Sequence, residues 1–208
     1  DSLSRFLRSA GAEVIEAPTI ELGPVEDYGK VDDALRHLDR YQWLVLTSAN
    51  GVDAMFARIR TIGLDTRCLG QVKIAAIGSA TARRLMERGA RPDLVPPEAL
   101  GESMAQAMIE QSVKDSRILL LVADIARTQL PDTLQAAGAQ CDSLAIYRTR
   151  RPAALPAVFV ERLDRGEIDW ITLTSPSSFV NLLLLLGPQR CQRLRTVGLA
   201  SIGPVTTQ

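Results

Sequence analysis

Trp43-Leu44-Val45-Leu46-Thr47-Ser48 returns as Trp170-Ile171-Thr172-Leu173-Thr174-Ser175, at an offset of 127 residues. Each copy is a short, continuously apolar run that stops at a pair of hydroxyl residues, the pattern of a buried strand turning into a capped helix. Working outward, Leu3, Leu7 and Ala10-Gly11-Ala12 match Leu130, Leu134 and Ala137-Gly138-Ala139 at the same offset. Val72, Ala75, Ile77-Gly78 and Thr81 match Val197, Ala200, Ile202-Gly203 and Thr206 at an offset of 125. Three separated matches in nearly one register indicate two halves of the same architecture.

Period and punctuation predict helices over 2–10, 30–41, 50–61, 80–89, 101–113, 128–137, 156–165 and 177–187, with another opening at 204. Strands are expected at 13–17, 43–47, 72–77, 93–95, 117–123, 140–147, 169–174 and 197–202. Apolar strands alternating with helices predict a mostly parallel sheet covered on both faces. The fold class is therefore α/β, as two flavodoxin-like parallel-sheet lobes joined by a two-stranded β connection. Residues 1–20 and 150–208 are expected to build one discontinuous lobe and 25–140 the other, with crossing strands at 18–24 and 141–151. Pro18, Pro24, Pro152 and Pro156 suit those crossings. The offsets also predict that a strand precedes residue 1 and that a strand–helix portion follows Gln208.

Composition narrows the chemistry. The 208 residues carry 24 basic and 24 acidic side chains, which provides no global field for nucleic acid or a membrane surface. No apolar run approaches the ~20 residues of a membrane-spanning helix. Three widely spaced cysteines, Cys68, Cys141 and Cys191, fit a reducing cytoplasm rather than a disulfide framework or zinc site. His37 is the only histidine, and its polar helical setting gives no nucleophile to serve. Neither a GxG nor a GxxxxGK[ST] occurs, so the dinucleotide and P-loop fingerprints are missing. Chemistry here must rest on hydroxyls, backbone N–H groups, arginines and pre-organisation. Arginine outnumbers lysine 21 to 3, most densely at Arg148, Arg150 and Arg151.

The repeated motifs fall where strands turn into helices. Thr47-Ser48-Ala49-Asn50 and Thr174-Ser175-Pro176-Ser177 supply cap hydroxyls, with Pro176 placed for the first helical position. Ile77-Gly78-Ser79-Ala80-Thr81 and Ile202-Gly203-Pro204-Val205-Thr206 are expected to do the same after a glycine. Any one of these is an ordinary helix cap. Four in matching pairs point to a cleft for a ligand bearing several carboxylates or phosphates.

These motifs resemble the uroporphyrinogen-III synthase family. The resemblance is carried by Leu46–Val52, Ala76–Ala82, Ala137-Gly138-Ala139, Ile146-Tyr147-Arg148-Thr149, Leu173–Ser177 and Ile202–Thr207, in the family's order across nearly the whole chain. It implies a monomeric cytoplasmic enzyme of heme biosynthesis, without metal or organic cofactor. The implied substrate is hydroxymethylbilane, a linear tetrapyrrole with eight carboxylates, closed to uroporphyrinogen III with inversion of ring D and loss of water. Tyr147 matches the family tyrosine of the second crossing strand and is the catalytic candidate, assisting departure of the hydroxyl group. Ser48, Ser79, Thr81, Ser175, Ser177 and Thr206 match turns that take substrate carboxylates. The rival readings are a non-catalytic two-lobed binder of a polyanionic metabolite and a phosphoryl- or nucleotide-handling α/β enzyme.

Overall fold

The computed structural model describes residues 2–126, 128–201 and 203. Helix α1 (Ser2–Ser9) and strand β1 (Glu21–Gly23) open the chain. By its internal contacts the chain divides into two units, Leu22–Thr149 and Asp1–Glu21 with Arg150–Gln208. It thus passes from one unit to the other twice.

The unit Leu22–Thr149 is built on a sheet of β1, β2 (Trp43–Leu46), β3 (Lys73–Ala76), β4 (Arg117–Ala123) and β5 (Gln140–Arg150). Their spatial order is β1-β5-β4-β2-β3, with β5, β4, β2 and β3 parallel. Alternating residues of the central strands feed two separate cores. Leu44, Leu46, Ile74, Ala76, Leu119 and Leu121 face one way. There they meet Ala34 and Leu35 of α2 (Gly29–Arg36), Met55 and Phe56 of α3 (Ala49–Thr61) and Leu85 of α4 (Ser79–Glu87). Trp43, Val45, Ile118 and Leu120 face the other way, against Met104 and Met108 of α5 (Gly101–Glu110) and Leu134 of α6 (Gln129–Ala136). Burial on both faces is why these strands read as continuous apolar runs.

The other unit repeats the scheme with α7 (Ala157–Arg165), β6 (Trp170–Leu173), α8 (Pro176–Cys191) and β7 (Gly198–Ser201). Its parallel pair starts at Trp170↔Gly198, as β2 and β3 start at Trp43↔Lys73. The preceding hydrogen bonds also correspond: Gly198 N–H donates to the Asp169 carbonyl (2.8 Å) and Lys73 N–H to that of Gln42 (3.0 Å). Gly11 and Gly138 take φ of 91° and 90°, and close α1 and α6 in the same way. In each case the next residue reaches back, Ala12 to the Leu7 carbonyl and Ala139 to that of Leu134. Both turns require the left-handed region that glycine enters without cost. The core of this unit gathers Phe159, Leu163, Leu173, Leu182, Leu186 and Leu194, with Ile15 and Ala17 packed against it.

Three expectations need correction. Residues 13–17 form no strand: Ile15 and Ala17 contribute to a core without joining a ladder, and the strand of this region is Glu21–Gly23. Residues 93–95 supply one isolated bridge, Ala75↔Leu94. The helix expected over 30–41 stops at Arg36, followed by a short 3-10 turn over Leu38–Arg40. The helix expected over 177–187 is present: it starts at Pro176 and is interrupted at Gly187, where φ is 69° and ψ 170°, before a further turn to Cys191. The helix expected from 204 and Thr206 lie outside the described residues. Among the described residues, no helix is long and apolar enough to cross a membrane.

At the N-terminal edge of the sheet, Tyr41 Oη donates to Asp142 (2.7 Å), whose carboxylate also accepts from Arg117 (2.9 Å). Burial, with Asp142 beside it, pushes the Tyr41 phenol up to about 12. Burial alone would raise Asp142, but hydrogen bonds from Tyr41 and Arg117 hold it below the usual carboxylate range.

Candidate functional site

Parallel strands end on one edge, and in open α/β sheets that carboxyl edge carries the ligands. Ser48 lies there, two residues past β2, with φ −156° and ψ 154°. As the cap of α3, its Oγ accepts from Gly51 N–H at 3.0 Å. The same Oγ lies 3.0 Å from the phenol oxygen of Tyr147 on β5. The two residues are 99 apart in sequence and meet over the end of β4. Gly51 lies close beneath the pair: a Cβ there would lie 3.3 Å from Ser48 Oγ, a tight contact, and 3.8 Å from Tyr147 Cε1, an ordinary one.

A β-bulge sets where Tyr147 sits. Val122 pairs with Ala145, but Ala123 pairs with Tyr147, so β5 carries one extra residue, Ile146. Such an insertion bends the strand and re-aims the following side chain. Beyond it, Asp124 N–H donates to the Tyr147 carbonyl (3.1 Å), while Asp124 Oδ1 accepts from Thr149 N–H (3.0 Å).

Ser48 Oγ has one lone pair committed to Gly51, leaving one lone pair and its own proton. If Ser48 donates to Tyr147, the phenol proton is left for a bound molecule. If Tyr147 donates to Ser48, the serine proton is left instead. Either way, one hydroxyl of the pair offers a proton at the carboxyl edge beside the positive end of α3. Ser48→Ala should lower Tm through loss of about 1 kcal/mol of capping and also lower turnover. A variant with unchanged turnover would show that the serine only caps the helix.

The other expected residues are distributed less simply. Ser79 is exposed and is the first residue of α4; the cap is Gly78, with no side-chain capping bond, because the chain turns at φ 81° and ψ 158°. Thr81 is only 3% exposed, so it packs inward rather than lining an open surface. In the other unit Ser175 caps α8 as expected, accepting from Ser178 N–H at 3.2 Å, with Pro176 in the first turn. Its Oγ also lies 3.0 Å from Ser177 Oγ and 2.7 Å from Ser178 Oγ. Arg148 of the arginine cluster is engaged by Glu26 (2.5 Å) and Asp124 (3.5 Å). Cys68 and Cys141 offer no activated thiol: burial pushes Cys141 up to about 11, and raises Cys68 as well.

Sequence reading missed Tyr28 and Asp124. Asp124, directly after a buried strand, was findable as a polar residue at a carboxyl edge. Nothing local marked Tyr28, whose hydroxyl reaches the Ile146 carbonyl 118 residues away.

The family model described as "Uroporphyrinogen-III synthase HemD" matches residues 1–208. The chain belongs to the uroporphyrinogen-III synthase family. It is 34% identical over 209 residues to a uroporphyrinogen-III synthase of Synechococcus elongatus, covering 97% of this chain and 77% of that one. It is 31% identical to the porphyrin biosynthesis protein HemD of Ruminiclostridium josui, over 85% of this chain but 35% of that longer protein. Among solved structures, a mutant uroporphyrinogen III synthase from Thermus thermophilus superposes with a TM-score of 0.60 at 20% identity, covering 99% of this chain and 82% of that one. The synthase from Helicobacter pylori also gives 0.60, at 19% identity, over 90% and 77%. These structures support the α/β class, and the sequence matches establish the uroporphyrinogen-III synthase family.

Arg58 of α3 pairs with Asp32 of α2. Arg58 Nε and Nη2 each donate to the Asp32 carboxylate at 2.5 Å, and these bonds hold the carboxyl below its usual range. A carboxyl whose folded pKa is depressed stabilises fully above its unfolded pKa of about 4, and that contribution is lost as pH falls through the folded value. The Tm deficit of Asp32→Asn, a few degrees at neutral pH, should therefore shrink as the pH is lowered from 6 toward 3. A deficit independent of pH would count against this pair as the source.

Proposed function

We propose that this chain cyclises hydroxymethylbilane to uroporphyrinogen III, with inversion of ring D and release of water. The observation that carries the reading is the uroporphyrinogen-III synthase match over the entire chain. The hydroxyl pair at the carboxyl edge of the larger sheet adds a chemical rationale.

In this reading Tyr147 donates toward the hydroxymethyl oxygen, which leaves as water and generates an azafulvene cation. Attack by the substituted ring-D carbon gives a spirocyclic pyrrolenine, which fragments and re-closes with ring D inverted, and the proton lost as ring D rearomatises returns to the Tyr147 oxygen. Ser48 donates to the phenol oxygen and so keeps the phenol proton directed at the substrate. The capped helix starts at Ser48 and Ser175–Ser177, with Ser79, take substrate carboxylates through backbone N–H groups and hydroxyls. Thr206 belongs to the same proposed set. Thr81, being buried, acts through the packing of the α4 turn. Much of the reactivity belongs to the substrate, so the protein's contribution is orientation and charge stabilisation.

The same reading has the protein acting as a monomer in the cytoplasm, consistent with its free cysteines. Sedimentation at working concentration tests the first point.

Incubation with freshly made hydroxymethylbilane, followed by resolution of the product isomers, tests the activity. Type III product is expected. Type I alone, as in the spontaneous closure, would overturn the reading and leave the non-catalytic polyanion binder.

A further inference from the structure

We infer that Tyr28 is a positioning residue for Tyr147, acting through the β5 bulge. This rests on the catalytic reading of Tyr147 proposed above. The extra residue of the bulge, Ile146, has no opposite number on β4, and its side chain is fully buried. Its carbonyl accepts a hydrogen bond from Tyr28 Oη at 3.3 Å. Tyr28 is itself held: the Arg58 guanidinium lies 4.2 Å from the centre of its ring, and Asp32 clamps that guanidinium with two bonds. A chain of contacts therefore runs from Asp32 through Arg58 and Tyr28 to the peptide just before Tyr147.

On the other side, Asp124 N–H holds the Tyr147 carbonyl at 3.1 Å. Tyr147 thus sits between two tethers, one on the preceding carbonyl and one on its own. Removing the first lets the bulge relax and moves the phenol relative to Ser48. The Tyr28 hydroxyl bonds to the Ile146 carbonyl, so the effect of deleting it passes through the backbone. Small displacements of a reacting group are costly, with ~1 Å worth up to about a hundredfold in rate.

The test is Tyr28→Phe, which deletes the hydroxyl and keeps the ring beneath Arg58. The variant should lose roughly fivefold in kcat with KM little changed. The same substitution should cost nothing further in a Tyr147→Phe background, because the residue it positions has lost its proton. An independent readout comes from 3-fluorotyrosine incorporation, since the chain has only three tyrosines. Tyr28→Phe should move the fluorine resonance of Tyr147 and leave that of Tyr41 in place.

An unchanged kcat in Tyr28→Phe, with Tyr147→Phe still impaired, would overturn the inference and leave the catalytic reading intact. An equal loss in both backgrounds would overturn it too, since Tyr28 would then act on something else. Full activity in Tyr147→Phe would remove the catalytic reading. In that case an unmoved Tyr147 resonance would also refute the tether, whereas a shifted one would uphold the tether without a role in turnover.

Discussion

Tyr147→Phe should lower kcat for the type III isomer by roughly tenfold to a hundredfold while leaving measurable turnover. General acid assistance typically contributes about 10²–10⁴, but a phenol is a weak acid at neutral pH, which places the loss toward the lower end. The substitution removes one oxygen and keeps the ring that packs against the α3 side of the sheet. Folding should therefore be nearly unaffected, and KM should change little if the proton is used in the reaction rather than in binding. Slower enzymatic closure also gives spontaneous closure more time, so the type I share of the product should rise. The decisive measurement is the initial rate with the isomers resolved, alongside a melting curve. Wild-type kcat in a folded variant would leave Tyr147 with no catalytic part.

Gly78→Val should give a large loss of stability for a single substitution at the carboxyl edge, about 2–6 kcal/mol. Gly78 is buried and turns the chain from β3 into α4 at φ 81° and ψ 158°, a region that is essentially glycine's alone. Any other residue there costs on the order of 1–3 kcal/mol in backbone strain. A Cβ would also lie 2.9 Å from the Cβ of Ala99, too close for either atom to stay in place. Overpacking of this kind adds about 1–3 kcal/mol, and β-branching removes the room to rotate away. Denaturant unfolding should show a lower midpoint with an unchanged slope. A midpoint within error of wild type would mean that the turn can be rebuilt without the positive φ.

The elements read most faithfully from sequence were those in which local chemistry and burial coincide. Leu44-Val45-Leu46 is wholly buried on both faces, and Ser48 follows at the distance a cap requires. Ser175 with Pro176 was legible for the same reason. Residues 13–17 misled because a few apolar residues between glutamates say that a segment packs, not that it pairs, and Ile15 and Ala17 pack without pairing. The cap at the start of α4 was displaced by one residue because Gly78 makes that turn with its backbone, leaving the Ser79 hydroxyl uncommitted to capping. Thr81 falls on the inward face of α4, a direction that motif matching does not weigh. The meeting of Ser48 with Tyr147, and of Tyr28 with Ile146, depends on strand order and on a one-residue bulge. No local pattern encodes either.

The double passage between units has a consequence for biosynthesis. The unit Leu22–Thr149 is one continuous stretch, so it can fold as soon as β5 has left the ribosome. Ile15 and Ala17, by contrast, pack against residues from the far end of the chain, including Phe159, Leu182 and Leu194. At about 5–20 residues per second, Ile15 and Ala17 must wait on the order of ten seconds for these partners. Their apolar side chains are exposed to other nascent chains and to chaperones throughout that interval, which leaves this segment open to interception during assembly.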